Sequence, residues 1–552
     1  MVTQLDPNNR VVAAGGGRPA VLDSAHVGDI HGALGTLRHN DSAPRRTWRA
    51  RLLTLLAIMG PGLIVMVGDN DAGGVATYAQ AGQNYGTSLL WTLLLLVPVL
   101  IVNQEMVVRL GAVTGMGHGK MIFERFGRFW GFFSVGDLFL LNFLTLVTEF
   151  IGVSLALGHF GVSPYISVPI AAVLLVVSIA TGSFARWERV MFIFIGANFL
   201  IIPLVLLSHP QWGPVAHDLV VPQVRGGLTS NAVLLIIAIV GTTVAPWQLF
   251  FQQSNIVDKR ITPRWIGYER LDTVMGSFIT VTGAAAIVIT CAFAFAGTSY
   301  FGRFVDAGAT AAALAARLGP VPGAMYAVVL LNASLIGAAA LAVATAYTVG
   351  DTFGVRHSLH WSLGEAKGFY ASFITLVVVA GAIVLIPRAP LGLITTGVQA
   401  LAGVLLPSAS VFLLLLCNDR SVLGPWVNAP WLNALAVVII SVLLMLSAIL
   451  TVTTLFPSVD VAILSVVLGT VLTLALIGFG IAWLWRRTPR PADRNQLRED
   501  RDSWTMPPLA LLDRPPWSRT RSLVVGGLRA YLVLAVLLLV VKSVQLALGH
   551  SG

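Results

Sequence analysis

Apolar stretches of about 20 residues recur along the chain and are separated by short polar segments. A run of that length crosses the hydrocarbon core of a bilayer as one α-helix. The pattern between residues 52 and 485 predicts twelve membrane-spanning helices. A last apolar run, 524–548, contains Arg529 and Lys542 and is either a thirteenth span or a helix in the membrane interface. We therefore predict an all-α polytopic membrane protein with 12–13 spans in a lipid bilayer.

Two of the predicted spans are interrupted in the middle. The first, 52–83, contains a Gly-Pro-Gly segment and then an Asp- and Gly-rich segment, and the second, 230–254, contains a Thr-Thr-Val-Ala-Pro segment. A membrane tolerates non-helical backbone only where protein buries it or where it lines a watery cavity. Interrupted helices in corresponding halves of a transporter point to a substrate site at the bilayer midplane. The broken spans open consecutive groups of five spans, so the second group is inverted relative to the first.

This pattern divides the chain into five parts. They are a disordered N-terminal tail (1–50), a first five-helix repeat (51–210), a second, inverted repeat (211–425), two additional spans (426–486), and a polar segment with the terminal apolar helix (487–552). Lys and Arg concentrate in the tails and in alternate loops, as is typical of cytoplasmic segments. We expect a cytoplasmic N-terminus, a plasma-membrane location and a monomer.

Composition excludes several other classes of protein. The chain is 56% hydrophobic and only 11% charged, whereas soluble domains are about 25% charged. The net charge of +10 could indicate a nucleic-acid partner. None is expected, because the Lys and Arg residues lie in the tails and in alternate loops, where they set the orientation of a membrane protein. No nucleotide-binding loop or hydrolase triad occurs in a credible context. The sequence predicts neither an enzyme nor a bound cofactor.

The first interruption carries two carboxylates, Asp69 and Asp71, with Asn70 between them and Gly74 after them. Carboxylates at this depth are costly and repel each other unless a cation or a proton relieves them. Together with exposed carbonyl and amide oxygens they form a hard-oxygen site suited to a divalent cation, with Asp71 as the first candidate ligand. In the simpler interpretation, one carboxylate caps the second half-helix and the other faces water.

The second interruption has no ionisable side chain. Pro246 removes an amide donor and frees the carbonyl of Thr242 as a possible ligand, although a simple proline kink is an equal alternative. Glu149, in the third span, is a proton relay, a gate partner or half of an ion pair. Gln399, in the tenth span, either approaches the site or bonds a neighbouring helix. Asp272 lies at a helix start, where a carboxylate meets the helix dipole favourably.

These segments together resemble the Nramp family of divalent-metal transporters, which share the LeuT-type fold. The segment Asp71–Gly82 is similar to the family pattern Asp-Pro-Gly-Asn-x-Ala-Thr-x-x-Gln-Ala-Gly, and Arg109–Gly115 and Leu271–Thr273 are similar to the family's second and seventh helices. The resemblance covers residues 53 to 420 and implies that Gln399 approaches the metal.

The departures from the family pattern lie at the site itself. The family's Met-Pro-His triplet stands here as Ala245-Pro246-Trp247, which lacks the soft thioether that favours transition metals. The family asparagine stands as Gly74, which enlarges the site. The family's proton-path groups are altered as well: its histidines fall on Trp247 and Gln252 and its third-helix aspartate on Leu146, while Glu149 is kept.

This set of changes is similar to the Nramp-related magnesium transporters. It implies transport of partly hydrated Mg²⁺, and also Mn²⁺, by alternating access with little or no proton coupling. The metal site would comprise Asp71, Thr242, Asp69, Asn70, Gly74, Ala245 and Gln399. The first alternative is a proton-coupled Mn²⁺ or Fe²⁺ importer of the same family. Further alternatives are an ion-coupled amino-acid symporter of the same fold and a membrane-bound metal sensor.

Overall fold

A computed structural model describes residues 25–386, 391–456, 458–485, 501–502, 504–512, 526–528 and 531. A short antiparallel hairpin, β1 (Ile30–Gly32) with β2 (Gly35–Leu37), precedes the helices. The first half of the bundle contains α1 (Trp48–Ile58), α2 (Pro61–Gly68), α3 (Ala72–Tyr85), α4 (Leu90–Thr114), α5 (His118–Phe126), α6 (Arg128–His159), α7 (Pro164–Ile179), α8 (Phe184–Ala197) and α9 (Ile201–Leu207). The second half contains α10 (Trp212–Val220), α11 (Ser230–Thr243), α12 (Pro246–Asp258), α13 (Ile266–Phe295), α14 (Ala307–Leu318), α15 (Pro320–Phe353), α16 (Lys367–Val384) and α17 (Leu391–Cys417). The helices α18 (Arg420–Leu423), α19 (Pro430–Leu455) and α20 (Val461–Trp485) follow.

The structure confirms the all-α membrane architecture. Within the described residues, ten helical stretches are long and apolar enough to cross a bilayer. The other two predicted spans correspond to α7, an apolar helix of 16 residues, and to the interrupted stretch that α1, α2 and α3 form together. The terminal run 524–548 lies outside the described residues except for a few positions, so its placement stays a prediction.

Both predicted interruptions are present, and local sequence explains each of them. The first falls at residues 69–71, where Gly68 ends α2 and Asp71 caps α3. The second falls at Val244 and Ala245, and Pro246 then starts α12 at a position where a missing N–H is harmless. The first span contains a further bend of 54° between α1 and α2, at Gly60, whose φ of +153° favours glycine.

Long central helices hold the broken ones in place. The helix α6 packs along α15, and α13 packs along both α2 and α3. At the contact between α11 and α17, a Cβ on Gly241 would lie 2.3 Å from the Gln399 carbonyl oxygen. Small residues therefore let these two backbones touch, as is common between membrane helices.

The prediction of a disordered segment 1–50 is wrong for its second half. Residues 30–37 form the hairpin, and α1 already begins at Trp48. The side chains of Ile30 and Leu37, which pair across the hairpin, are both buried. This buried apolar pair and contacts to distant helices provide the stability that the polar composition did not suggest. Residues 1–24 lie outside the described residues.

Candidate functional site

The two interruptions lie side by side in the centre of the bundle. A Cβ on Gly74 would lie 3.1 Å from Thr242 Oγ1 and 3.0 Å from the Asp69 carbonyl oxygen. One turn further along α3, the Tyr78 hydroxyl and Thr243 Oγ1 are 2.8 Å apart and share a hydrogen bond. The gap at Gly74 is therefore too small even for a methyl group without a shift of its neighbours, and backbone and hydroxyl oxygens line it.

Asp69 is the most exceptional side chain in this region. It is 0% exposed, and neither of its carboxylate oxygens accepts a hydrogen bond of ordinary geometry among the described residues, although the Gln248 side chain lies close to it. Thr242 Oγ1 and Asn70 Oδ1, also buried, lack partners in the same part of the chain, while Asn70 Nδ2 donates to the Thr280 carbonyl at 3.0 Å. A carboxylate in such surroundings is strongly unfavourable unless a cation or a proton compensates it.

Asp71 has a structural role as well as a chemical one. One of its oxygens accepts the backbone N–H of Gly74 at 2.6 Å, so Asp71 caps α3. The carboxylate of Glu149, on α6, accepts the N–H of Ala72 at 3.1 Å. A Cβ on Gly337 would lie 2.8 Å from both Asp71 Cβ and Glu149 Oε2, so the two acids flank the same glycine. Both meet the positive end of the α3 dipole.

The simpler interpretation of the two aspartates is therefore half correct. Asp71 does cap the second half-helix. Asp69 does not face water, since it is fully buried.

The side chain of Gln399, on α17, lies against α3 next to the first interruption. Its side chain is buried, and a Cβ on Gly73 would lie 1.7 Å from its Nε2 atom. The close approach is possible only because position 73 is glycine. Nε2 itself has no hydrogen-bond partner in the described part of the chain.

Ala245 lies in the second interruption, in extended backbone just before Pro246, and is buried. Pro246 has no N–H to give, so the Thr242 carbonyl lacks its usual helical donor. This geometry is compatible with a carbonyl ligand and equally with a proline kink. The choice between them stays a prediction.

The four proton-path positions, Leu146, Glu149, Trp247 and Gln252, are all buried, and all but Glu149 carry side chains that do not ionise. Trp247 packs on Phe251 and lies near Gly68, where a Cβ would be 3.5 Å from the indole. Gln252 donates to Thr273 Oγ1 at 2.9 Å, towards α13 rather than towards the interruption. Leu146 is fully buried in the hydrophobic core. Of the four positions, Glu149 alone keeps an acid at the site.

Sequence reasoning missed a polar chain behind the second interruption. Gln104, on α4, donates to Gln248 Oε1 at 3.0 Å, and both side chains are fully buried. Gln248 lies two residues after Pro246, in the first turn of α12, and its position beside the break was the available signal. Gln104 lies in the polar segment Asn103-Gln104-Glu105 of α4, and this segment was a signal that sequence reasoning did not use.

A comparison with protein families decides the classification. The family model described as Natural resistance-associated macrophage protein-like (Nramp) matches residues 62–453. The chain belongs to the Nramp family. Its membership confirms the resemblance found in the sequence, while nothing in the match separates a magnesium branch from the rest of the family.

Relatives and solved structures agree with this assignment. A protein of Staphylococcus aureus named "Divalent metal cation transporter MntH" is 27% identical over 431 residues, which cover 72% of this chain and 91% of that protein. The crystal structure of a manganese transporter of Eremococcus coleocola aligns with a TM-score of 0.61 at 21% identity, covering 81% of this chain and 96% of that one. The second likeness shows that this Nramp protein shares that transporter's fold.

Proposed function

We propose that this Nramp protein is a secondary transporter that moves divalent metal cations across the cell membrane by alternating access. The observation that carries the proposal is the fully buried, unpartnered carboxylate of Asp69 between two broken helices. A cation bound there would compensate the charge that folding has removed from water. The relatives' names describe metal transport rather than catalysis, amino-acid transport or sensing, which supports the same choice.

The ligands would be oxygen atoms from both interruptions. Asp69 would supply the carboxylate, Asn70 its free Oδ1, and Thr242 its hydroxyl or carbonyl oxygen. Asp71 would contribute the oxygen that does not cap α3. Gln399 would close the site from α17. Carboxylate, amide and carbonyl oxygens are the ligands that hard divalent cations prefer.

Proton-coupled import of Mn²⁺ or Fe²⁺ is the form of this activity that the comparisons support best. One solved relative is named as a manganese transporter, and none of the relatives reported above is named for magnesium. Glu149, next to Asp71 at the start of α3, is the acid that would take the proton. Uncoupled Mg²⁺ uptake, which the sequence favoured, therefore becomes the second candidate for the transported ion and its coupling.

A specific observation keeps Mg²⁺ as the second candidate. Position 245 is alanine, so no thioether enters the site there, and the buried groups without partners around the first interruption offer oxygen atoms. Magnesium takes oxygen ligands and keeps several of its waters. In the plasma membrane, with the N-terminus inside, each positive charge entering gains about 2.3 kcal/mol per 100 mV. A divalent ion would then enter without a proton gradient.

Uptake into proteoliposomes tests the function. Mn²⁺ and Mg²⁺ would be offered separately while internal pH is recorded, for the parent protein and for Asp69→Asn. Glu124→Gln, which changes an exposed carboxylate paired with Lys120, is the matched control. Mn²⁺ entry with proportional acidification supports the first form, and Mg²⁺ entry without it supports the second. If neither metal enters above protein-free vesicles, the proposal is wrong.

A further inference from the structure

The N-terminal hairpin lies directly on the backbone of α1. A Cβ on Gly32 would lie 2.2 Å from the Ala57 carbonyl oxygen, and one on Gly35 would lie 3.1 Å from Ala57 Cβ. Real Cβ atoms do not approach a carbonyl that closely, so the hairpin can dock only with glycine at position 32. Its two glycines thus fix its position on the first half of the broken helix.

Polar contacts fasten the same hairpin to two other helices. The Ala33 N–H donates to the Glu188 carboxylate on α8, and Arg189 Nε donates to the Ala33 carbonyl at 3.2 Å. Just after α12, Arg260 donates to the carbonyls of Ala25 and Asp29 at 2.7 and 3.0 Å. The hairpin and the segment before it therefore bridge α1, α8 and the end of α12.

The hairpin covers a buried ion pair at the bend between α1 and α2. Lys259 Nζ lies 2.6 Å from Glu188 Oε1, and both side chains are 0% exposed. The same ammonium donates to the carbonyls of Ile58 and Met59, at 2.7 and 2.8 Å, which end α1. A Cβ on Gly60 would lie 1.8 Å from Glu188 Oε1, so the bend itself presses against the pair.

No open route leads from Asp69 to this end of the bundle along α2. Every residue of α2, Pro61–Gly68, is buried. The start of α2 is tied to α13, because Asp272 accepts the N–H groups of Gly60, Gly62 and Leu63. A transporter of this type has to expose its site to each side in turn. On this side, α1 and α2 must therefore separate from α8, α12 and α13, and the hairpin spans part of that seam.

We propose that the hairpin Ile30–Leu37 is a latch that holds this end of the transporter closed and must undock before a cation leaves through it. This inference rests on the proposed transport function. The contact set distinguishes the latch from a cover that simply travels with α1. A passive cover needs only the α1 contact, whereas this hairpin also binds Glu188 and Arg189 on α8. From the distribution of Lys and Arg in the loops, we expect this end to face the cytoplasm.

Cysteine labelling tests the latch without needing metal transport. Thr273, buried on α13 beside Gly62, would be replaced by cysteine after the buried Cys291 and Cys417 have been changed to alanine. A membrane-impermeant methanethiosulfonate would be applied from the side of the hairpin. Gly32→Leu blocks docking of the hairpin. Gly364→Leu is the matched control, because a Cβ at this exposed loop glycine meets nothing within 4 Å.

The expected result is faster labelling of Thr273→Cys when the latch is released. Gly32→Leu should raise the rate at least about fivefold, since the open population, in which Thr273→Cys is accessible, rises by a similar factor. Arg189→Gln, a milder change that removes one hairpin anchor, should raise it less, and Gly364→Leu should leave it unchanged. Equal rates in the parent, Gly32→Leu and Arg189→Gln would overturn the latch. Faster labelling in vesicles that take up neither Mn²⁺ nor Mg²⁺ would support the latch and reject the proposed function instead.

Discussion

The backbone N–H of Ala72 donates to the carboxylate of Glu149, 3.1 Å away. This contact joins the middle of α6 to the first residue of α3, directly beside the cap that Asp71 provides. Two acids from different helices thus share one helix start, and a change of charge on either acts on the other at short range. The pair is the clearest route by which cation binding and proton binding would be linked.

Replacing Glu149 by glutamine separates proton transport from metal transport. A glutamine amide oxygen still accepts the Ala72 N–H but takes up no proton at accessible pH, so the fold should survive. In the proton-coupled form, Mn²⁺ uptake by Glu149→Gln should proceed with internal acidification reduced at least about tenfold. A pH-sensitive dye inside the vesicles measures this. Glu124→Gln, on the surface, should behave as the parent. Undiminished acidification in Glu149→Gln would remove Glu149 from the proton route.

Asp69→Asn should separate metal affinity from stability. Without metal, this change removes a buried, unpartnered charge, so the protein should unfold at a temperature equal to or above that of the parent. With metal, it should lose affinity for Mn²⁺ by at least about tenfold, or about 1.4 kcal/mol. Thermal unfolding with and without Mn²⁺ measures both effects. If Asp69→Asn gains as much stability from Mn²⁺ as the parent does, Asp69 is not a ligand.

Changes at Asp71 should follow a different pattern, because this side chain caps α3. Asp71→Ala removes the cap and should cost about 1 kcal/mol of stability even without metal. Asp71→Asn keeps an acceptor for the Gly74 N–H and should be nearly as stable as the parent while binding Mn²⁺ more weakly. The same unfolding assay compares the two variants. Equal stabilities without metal would show that the cap contributes little.

The sequence predicted the interruptions well because their causes are local. Glycine, proline and carboxylates inside an apolar run cannot continue a membrane helix without a special reason, and both breaks fall where those residues occur. It could not tell which aspartate would be free of partners. The difference between the two aspartates arises because the Gly74 N–H donates a hydrogen bond to Asp71 and not to Asp69.

The features that sequence reasoning missed depend on contacts between distant residues. Asp272 was expected at the start of a helix, but α13 begins earlier, at Ile266. The Asp272 carboxylate instead accepts backbone N–H groups at the start of α2, more than 200 residues away in the chain. The docking of the hairpin also depends on a distant contact, since Ala33 and Glu188, which share a hydrogen bond, are 155 residues apart in the chain. Periodicity and propensity describe one segment at a time, so neither contact left a recognisable pattern.

Ala245→Met should change which metal the site prefers. The variant places a thioether in the second interruption, and soft sulfur favours transition metals over magnesium. We expect the ratio of Mn²⁺ to Mg²⁺ uptake to rise at least about fivefold, with Cd²⁺ uptake increasing most. Ala245→Leu, which adds similar bulk without sulfur, is the matched control in competition assays with proteoliposomes. If both variants shift the ratio equally, the effect comes from lost space and not from the ligand.

His357 should give the protein a stability that declines in alkaline solution. The residue lies in the loop after α15, with its Nε2 3.5 Å from Asp351 Oδ1 and its ring beside His26. Burial opposes the charged ring, but the hydrogen bond and negative charge of Asp351 outweigh it, with smaller help from Val355 and Asp258, and raise the pKa of His357 to about 9. The folded pKa thus exceeds the unfolded value of about 6.5. The stabilisation is complete below about pH 6.5 and is lost as pH rises through about 9, at most about 3 kcal/mol in all.

Unfolding temperatures between pH 6 and pH 10 check this behaviour. The parent should lose stability progressively between about pH 6.5 and pH 9, because over that range the unfolded chain has released the His357 proton while the folded protein still holds it beside Asp351. His357→Gln should be less stable than the parent at pH 6 and should show a flatter profile. His39→Gln, at an exposed position of the N-terminal segment, should keep the parent's profile. Equal slopes for all three proteins would mean that the pair with Asp351 does not stabilise the fold, since only the charged form of His357 gains from that carboxylate.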